Sequence, residues 1–156
     1  MTERVQTKLK QDVREGLGIA ASQEMIGFLI SVLIENGLRQ RDISPTDLFP
    51  ATDSNSGNEE EAIQLALLCS DTMNWLIDEG IARSRGKQTV MSGLTFFIGV
   101  NLTARGIALA QLENVEFLEG KTVEKLLQTK EHNSDLYQKL GSFVGSAIAG
   151  FTKTIT

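Results

Sequence analysis

The chain has 156 residues, 41% of them hydrophobic and 22% charged, with a formal net charge of -5 and a pI near 4.9. A chain of this length makes one ordinary domain that buries roughly 70% of the surface its unfolded form exposes, so stability requires neither a disulfide nor a metal. The single cysteine, Cys69, excludes an internal disulfide framework, and the acidic balance argues against indiscriminate nucleic-acid binding, which draws on surplus lysine and arginine to displace counterions.

No arginine-plus-apolar leader opens the chain, and no apolar run reaches the roughly 18 residues of a membrane span. The expectation is an intracellular, cytoplasmic protein without a membrane partner. Frequent leucine, alanine and glutamate favour helix. The fold expected is mainly α with a small antiparallel β-hairpin, in a single domain: an N-terminal helical arm (1–18), a core (22–112) and a C-terminal helical extension (113–156).

Thr2 to Glu15 places Val5, Leu9 and Val13 four apart among charged neighbours, the narrow apolar stripe of a helix that docks on something. Gly16 and Gly18 interrupt it. Ser22 then stands where it could cap a helix running to about Asn36, with Gly37 as a left-handed terminator. Met25, Ile26, Phe28, Leu29, Ile30, Val32, Leu33 and Ile34 occupy nearly the whole circumference of that helix, which must be covered on several sides. It is the expected centre of the core.

Leu38 to Asn58 is polar and holds both prolines. Within it Ser44-Pro45-Thr46-Asp47 predicts a short helix ending near Phe49. Asn58 could cap a long helix from Glu59 to Glu79, whose three leading glutamates suit the positive end of the helix dipole. Ile63, Leu67, Trp75 and Leu76, with Ala62 and Ala66, are its expected inward face. Gly80 stops it. Ile81 to Arg85 reads as a strand, Gly86-Lys87 as part of a turn or wing, and Leu94 to Leu102 as a second strand. Thr103 can cap the next helix, with Leu102 and Ile107 at the two positions of a hydrophobic staple.

Further helices are expected from about Thr122 to Lys130 and from about Ser134 to Lys153. The last carries Leu136, Leu140, Phe143, Val144, Ala147, Ile148 and Phe151 on one stripe, beside small-residue rows Gly141, Gly145, Ala149 and Ser142, Ser146, Gly150. Such rows let another helix approach closely. Leu140, Gly141, Val144, Gly145, Ile148 and Ala149 are therefore candidate helix-packing residues, within the chain or between the subunits of a homodimer.

The run Phe97-Ile98-Gly99-Val100-Asn101-Leu102-Thr103-Ala104-Arg105-Gly106 resembles the second wing strand and Leu-Thr-x-x-Gly helix start of winged helix-turn-helix proteins. Asn74-Trp75-Leu76-Ile77-Asp78-Glu79-Gly80-Ile81-Ala82 is similar to the end of their recognition helix. The resemblance covers Met25 to Leu112 at most and is nearest in style to small bacterial and phage-associated families. It implies a winged-helix-like core, a scaffold that serves operator binding, protein docking and assembly alike. The segment matching the recognition helix departs from the DNA-binding pattern: Cys69 to Glu79 holds Asp71, Asp78 and Glu79 but no lysine or arginine. Ser70, Thr72 and Asn74 are the side chains there that could read bases.

Arg83, Arg85 and Lys87 cluster on the expected wing, with Arg39 and Arg41 elsewhere. They are the candidate nucleic-acid contacts, against the alternative of a solvated hairpin. Gly120-Lys121-Thr122 resembles the tail of a phosphate loop, but the glycine that motif needs falls at Val115, so a helix-start turn is the better reading. His132, the only histidine, is read as an exposed helix-junction residue, and Cys69 and Trp75 as core residues. No catalytic, metal or cofactor residues are assigned. The chain is expected to be a non-enzymatic interaction protein contacting another protein or itself through its first and last helices. The alternative is a DNA-binding transcriptional regulator with a basic wing.

Overall fold

The computed structural model describes residues 18–50, 59–112, 121–129 and 131–155, with side chains as far as Gly150. The expected arm helix at Thr2 to Glu15, the Asn58 cap, Gly120 and the Phe151 side chain lie outside the described residues. The described part is mainly helical with a small antiparallel sheet.

Helix α1 (Ile19–Asn36) begins after Gly18, which offers no capping side chain. Ser22 is therefore not the cap: it sits one turn inside, its amide bonded to the Gly18 carbonyl at 3.2 Å. Gly37 ends the helix as expected, with φ 62° and its N–H donated to the Leu33 and Ile34 carbonyls. Met25, Phe28, Leu29, Ile30 and Leu33 are all buried, making α1 the core helix.

The polar run after α1 contains a strand that its composition does not announce, β1 (Arg41–Ile43), in which only Ile43 is buried. Its pairing partner supplies what local sequence does not. The short helix α2 (Pro45–Leu48) follows, with proline in its first turn. Phe49, just beyond it, packs its ring against Phe28 at 5.6 Å, and Phe28 meets Tyr137 edge-on at 5.8 Å. These three rings tie α2 and α1 to the last helix.

Helix α3 (Glu59–Asp78) buries Ala62, Leu65, Ala66, Cys69, Ser70, Thr72, Met73 and Leu76. Its inward stripe is thus Leu65, Cys69, Met73 and Leu76, while Ile63 is 44% exposed and Leu67 and Trp75 are only half-buried. Ala62, Ala66 and Leu76 of the expected face are buried as expected, while Ile63, Leu67 and Trp75 give way to Leu65, Cys69 and Met73, because apolar residues recur on more than one side of this helix and packing selects among them. The helix ends in a Schellman motif. Gly80, at φ 78°, donates to the Ile77 carbonyl, and the Ile81 amide reaches the Leu76 carbonyl at 2.9 Å, with both Ile81 and Leu76 fully buried.

Three strands follow: β2 (Ala82–Arg83), β3 (Gly86–Thr89) and β4 (Thr95–Leu102). β4 is central, with β1 along one edge and β2, then β3, along the other, all antiparallel. The hairpin expected from sequence is thus part of a four-stranded sheet. Its turn lies at residues 90–94, where Gly93 takes φ 93° and the Val90 amide reaches the Leu94 carbonyl. Gly86 and Lys87, expected in a turn or wing, lie in the hairpin strand β3 and pair with Ile98 and Phe97 in the ladder. The register against β1 slips by one residue between Arg41–Val100 and Ile43–Phe97. Gly99 absorbs the slip at φ 61°, with its amide held by Asp42 Oδ1 at 3.0 Å.

Helix α4 (Ala104–Ala110) starts as the Leu-Thr-x-x-Gly pattern implies. Thr103 Oγ1 accepts the Gly106 amide at 3.0 Å and is also bonded to the main chain at Gly80 and Ile81. Leu102 is buried and Ile107 packs against the core. Helix α5 (Val123–Thr129) is opened by Thr122, whose hydroxyl takes the Lys125 amide, so Thr122 serves a helix start. Helix α6 (Ser134–Ile155) is opened by Asn133, which accepts the Leu136 amide at 2.8 Å.

α1 and α6 form the most extensive helix pair of the fold. They cross closely enough that a Cβ on Gly27 would lie 2.0 Å from the Tyr137 carbonyl oxygen, and one on Gly141 would lie 1.8 Å from that of Gln23. Helix α6, which falls within the expected extension, packs into the core. Against the expectation that no apolar run reaches spanning length, α1 is, among the described residues, the one helix long and apolar enough to cross a membrane, and 56% of that stretch is buried inside the protein. Its apolar circumference is accounted for by α6, α3 and β4.

Candidate functional site

Three faces of α3 decide what its surface can do. The first is buried in the core. The second is covered by the hairpin: Ser70 is fully buried and accepts the Thr95 amide at 3.0 Å, Lys87 Nζ donates to Asn74 Oδ1 at 3.1 Å, and Leu67 packs near Gly93. Thr72, on the inner side, spends its hydroxyl on the Leu68 carbonyl at 2.7 Å. The three side chains that could have read bases, Ser70, Thr72 and Asn74, are thus buried or already engaged. Neighbouring Asp71 and Asp78 point to solvent.

The third face of α3 opens onto a groove shared with α1. It has a volume of about 350 Å³ and is lined by Ser22 and Ile26 from α1 and by Leu68, Asp71, Thr72 and Trp75 from α3. Trp75, half-buried and packed against the core, also forms part of the groove wall. Apolar side chains on the floor and a carboxylate among the lining groups suit an amphipathic helix bearing basic residues. They do not suit a phosphate backbone, which a carboxylate repels.

Arg83, Arg85 and Lys87 are all exposed. Arg83 Nε donates to Asn101 Oδ1 at 3.1 Å, and Arg85 Nη1 to Gln40 Oε1 at 3.3 Å. Arg85 also lies over Gly99, where a Cβ would come within 2.7 Å of its Cδ. With the Lys87 bond to Asn74, each of the three cations is oriented by a neutral amide among the described residues. The structure strings the three along one edge of the sheet instead of gathering them at a turn.

The candidate packing residues on α6 divide in two. Leu140, Gly141, Val144 and Ile148 are buried within the chain, whereas Gly145 is half-buried with open space around it and Ala149 is exposed. Close helix approach through this row is an intramolecular contact with α1.

Cys69 is fully buried, and burial pushes its thiol pKa up to about 12, which leaves it a protonated core group at neutral pH. His132, expected to be exposed, is half-buried. Its Nε2 lies 2.6 Å from the Leu127 carbonyl, which can only accept, so Nε2 carries the proton and Nδ1 accepts from the Tyr137 hydroxyl at 3.1 Å. His132 borders a cavity of about 340 Å³ lined by Ser31, Ile34 and Glu35 of α1 and by Glu124, Leu127 and Gln128 of α5. Sequence spacing does not signal that meeting, because the residues come from three separated segments.

Burial raises the Tyr137 pKa above its ordinary value of 10.0. A hydrogen bond with Ser31 opposes the rise and the negative charge of Glu35 adds to it. The folded state therefore holds the phenolic proton more tightly than the unfolded chain. Its contribution to stability is complete below pH 10.0 and is lost as pH rises through the higher folded value. Tyr137 is the chain's only tyrosine, so a spectroscopic alkaline titration reads it alone. Phenolate absorbance should appear at higher pH in the native protein than in urea, with stability declining in the same alkaline range. Coincident native and denatured titrations would contradict this environment.

Comparison of the chain with protein-family models, with curated proteins and with solved structures found no match in any of the three.

Proposed function

We propose that this chain is a non-enzymatic winged-helix interaction protein that works in the cytoplasm through protein–protein contact, with the α1–α3 groove as its contact surface. The observation that carries the proposal is the state of α3. Its base-reading candidates Ser70, Thr72 and Asn74 are buried or engaged, while Asp71 and Asp78 are exposed beside an apolar groove. The order of elements supports the winged-helix part: a helix, a short strand, two further helices, then strands returning through a turn to a central strand and a capped helix. Self-association belongs to the same proposal. With Gly141 occupied by α1, it would use exchange of α6 or the outer positions Gly145 and Ala149.

The DNA-binding regulator remains the second reading, favoured by one observation. Arg83, Arg85 and Lys87 stand exposed together along one sheet edge, each bonded to a neutral amide. A mobility-shift assay against random duplex at low and moderate salt separates the two. The expected result is no retardation at either salt concentration. Retardation that falls steeply with salt, and disappears when Arg83, Arg85 and Lys87 are neutralised together, would overturn the protein-contact proposal.

A further inference from the structure

We infer that the end of the molecule where the hairpin turn meets the first turns of α3 is a self-association surface, and that its occupant is the same surface of a second copy. The inference goes beyond the α1–α3 groove and beyond α6, and it stands or falls apart from either.

The hairpin lies along α3 at three levels: Lys87 beside Asn74, Thr95 beside Ser70, and Gly93 beside Leu67. Its turn at residues 90–94 therefore reaches only as far as Leu67, and the helix runs on for about two more turns to Glu59. Exposed apolar side chains gather at this step. Met91 is fully exposed, Val90 and Ile63 are also exposed, and Ile63 stands one turn beyond Leu67. Apolar exposure that is clustered rather than scattered marks a contact surface.

The charges on either side of the patch select a second copy. Helix α3 contains five acidic residues and no basic one, whereas Gly80 to Leu102 contains three basic residues and no acidic one. Glu59 and Glu60 are exposed at one end of the patch, and Lys87, with Arg85 behind it, at the other. Glu60, Leu67 and Asn74 are seven residues apart, so they keep to one face of the helix. At 1.5 Å per residue, Glu60 and the level of Lys87 each lie about 10 Å from Leu67. Asp71 turns instead to the α1–α3 groove. Acid, apolar centre and base thus follow one another at even spacing. A two-fold axis through the centre sets the acids of each copy against the bases of the other and packs the two hairpin turns together. Such a surface is complementary to itself, which is the condition for a closed dimer. An unrelated partner imposes no such symmetry.

A surface this small gives a weak dimer, so the full-length protein is expected to sediment as a monomer at about 1 μM and increasingly as a dimer toward about 100 μM. Met91→Glu places a charge at the centre of the contact, and full exposure of Met91 means that the fold is untouched. The dissociation constant should rise at least about ten-fold, with unchanged circular dichroism. Glu59→Lys with Glu60→Lys in one variant, and Arg85→Glu with Lys87→Glu in another, should each weaken the dimer by about five-fold. Mixed in equal amounts, these two variants should regain wild-type association, because each then meets its opposite charge at both contacts.

A wild-type monomer at every concentration would overturn the inference. So would a dimer indifferent to Met91→Glu, which assigns association to α6, and a mixture of the two charge variants no tighter than either alone. None of these results touches the groove, whose standing is decided by the mobility-shift assay above.

Discussion

Gly141→Ala is expected to destabilise the protein by about 3 kcal/mol, at the upper end of the range for overpacking a tight contact. The added methyl would sit 1.8 Å from the Gln23 carbonyl oxygen, and the other two nearest atoms, Gln23 C and Cα, are also backbone. No side-chain rotation relieves such a clash, so α1 and α6 must separate. That would also loosen Tyr137, Leu140 and Val144, all buried in the core. Gly27→Ala meets the Tyr137 backbone in the same way and should cost a similar amount. Gly145, one turn further along α6, has nothing within 4 Å of a new Cβ, so Gly145→Ala should gain up to about 1 kcal/mol from helix propensity alone. Urea midpoints for the three single variants decide the matter. Equal effects at Gly141 and Gly145 would show that the crossing is looser than described, and that α6 does not depend on α1 for its place.

Gly106→Ala should have an effect nearly as large, about 2–3 kcal/mol, for a related reason at another corner. Its Cβ would fall 2.2 Å from the Ile81 carbonyl oxygen and 3.0 Å from Leu102 Cδ2. The Ile81 carbonyl also receives the Thr103 amide at 3.0 Å. One short stretch thus joins the exit of α3, the end of β4 and the start of α4. Thr103→Ala removes the cap hydroxyl but adds no bulk, and should cost only about 1 kcal/mol. Denaturant unfolding that ranks Thr103→Ala as the more damaging change would mean the cap, rather than close approach, fixes this corner.

Features written in a few adjacent residues were legible in the sequence. Gly37 and Gly80 as helix stops, Thr103 as a cap, Pro45 at a helix start and α1 as the core helix each depend on local chemistry, and each holds in the structure. What depends on distant partners was not legible. β1 is a strand because β4 lies beside it, and the buried face of α3 was chosen by α1 and the sheet from more than one apolar option. Between the turn and the wing open to Gly86-Lys87, pairing with β4 places both in strand β3, and the chain reverses at residues 90–94. For the site, the acidic surface of α3 and the basic residues of the sheet edge could be read directly. The engagement of Ser70 by Thr95 and of Asn74 by Lys87 could not, since each joins α3 to the hairpin.

The α1–α6 crossing also sets a timetable. During synthesis, α1 emerges with its apolar circumference bare, and the helix that covers it is made last among the described elements. At the ordinary pace of about 5–20 residues per second, that interval is on the order of ten seconds. Until α6 arrives, Gly27 presents a notch with nothing to fill it, and neighbouring nascent chains can meet through the same exposed surface. The contact that makes the finished protein compact therefore leaves the growing chain with an open face on α1 until its last helix is made.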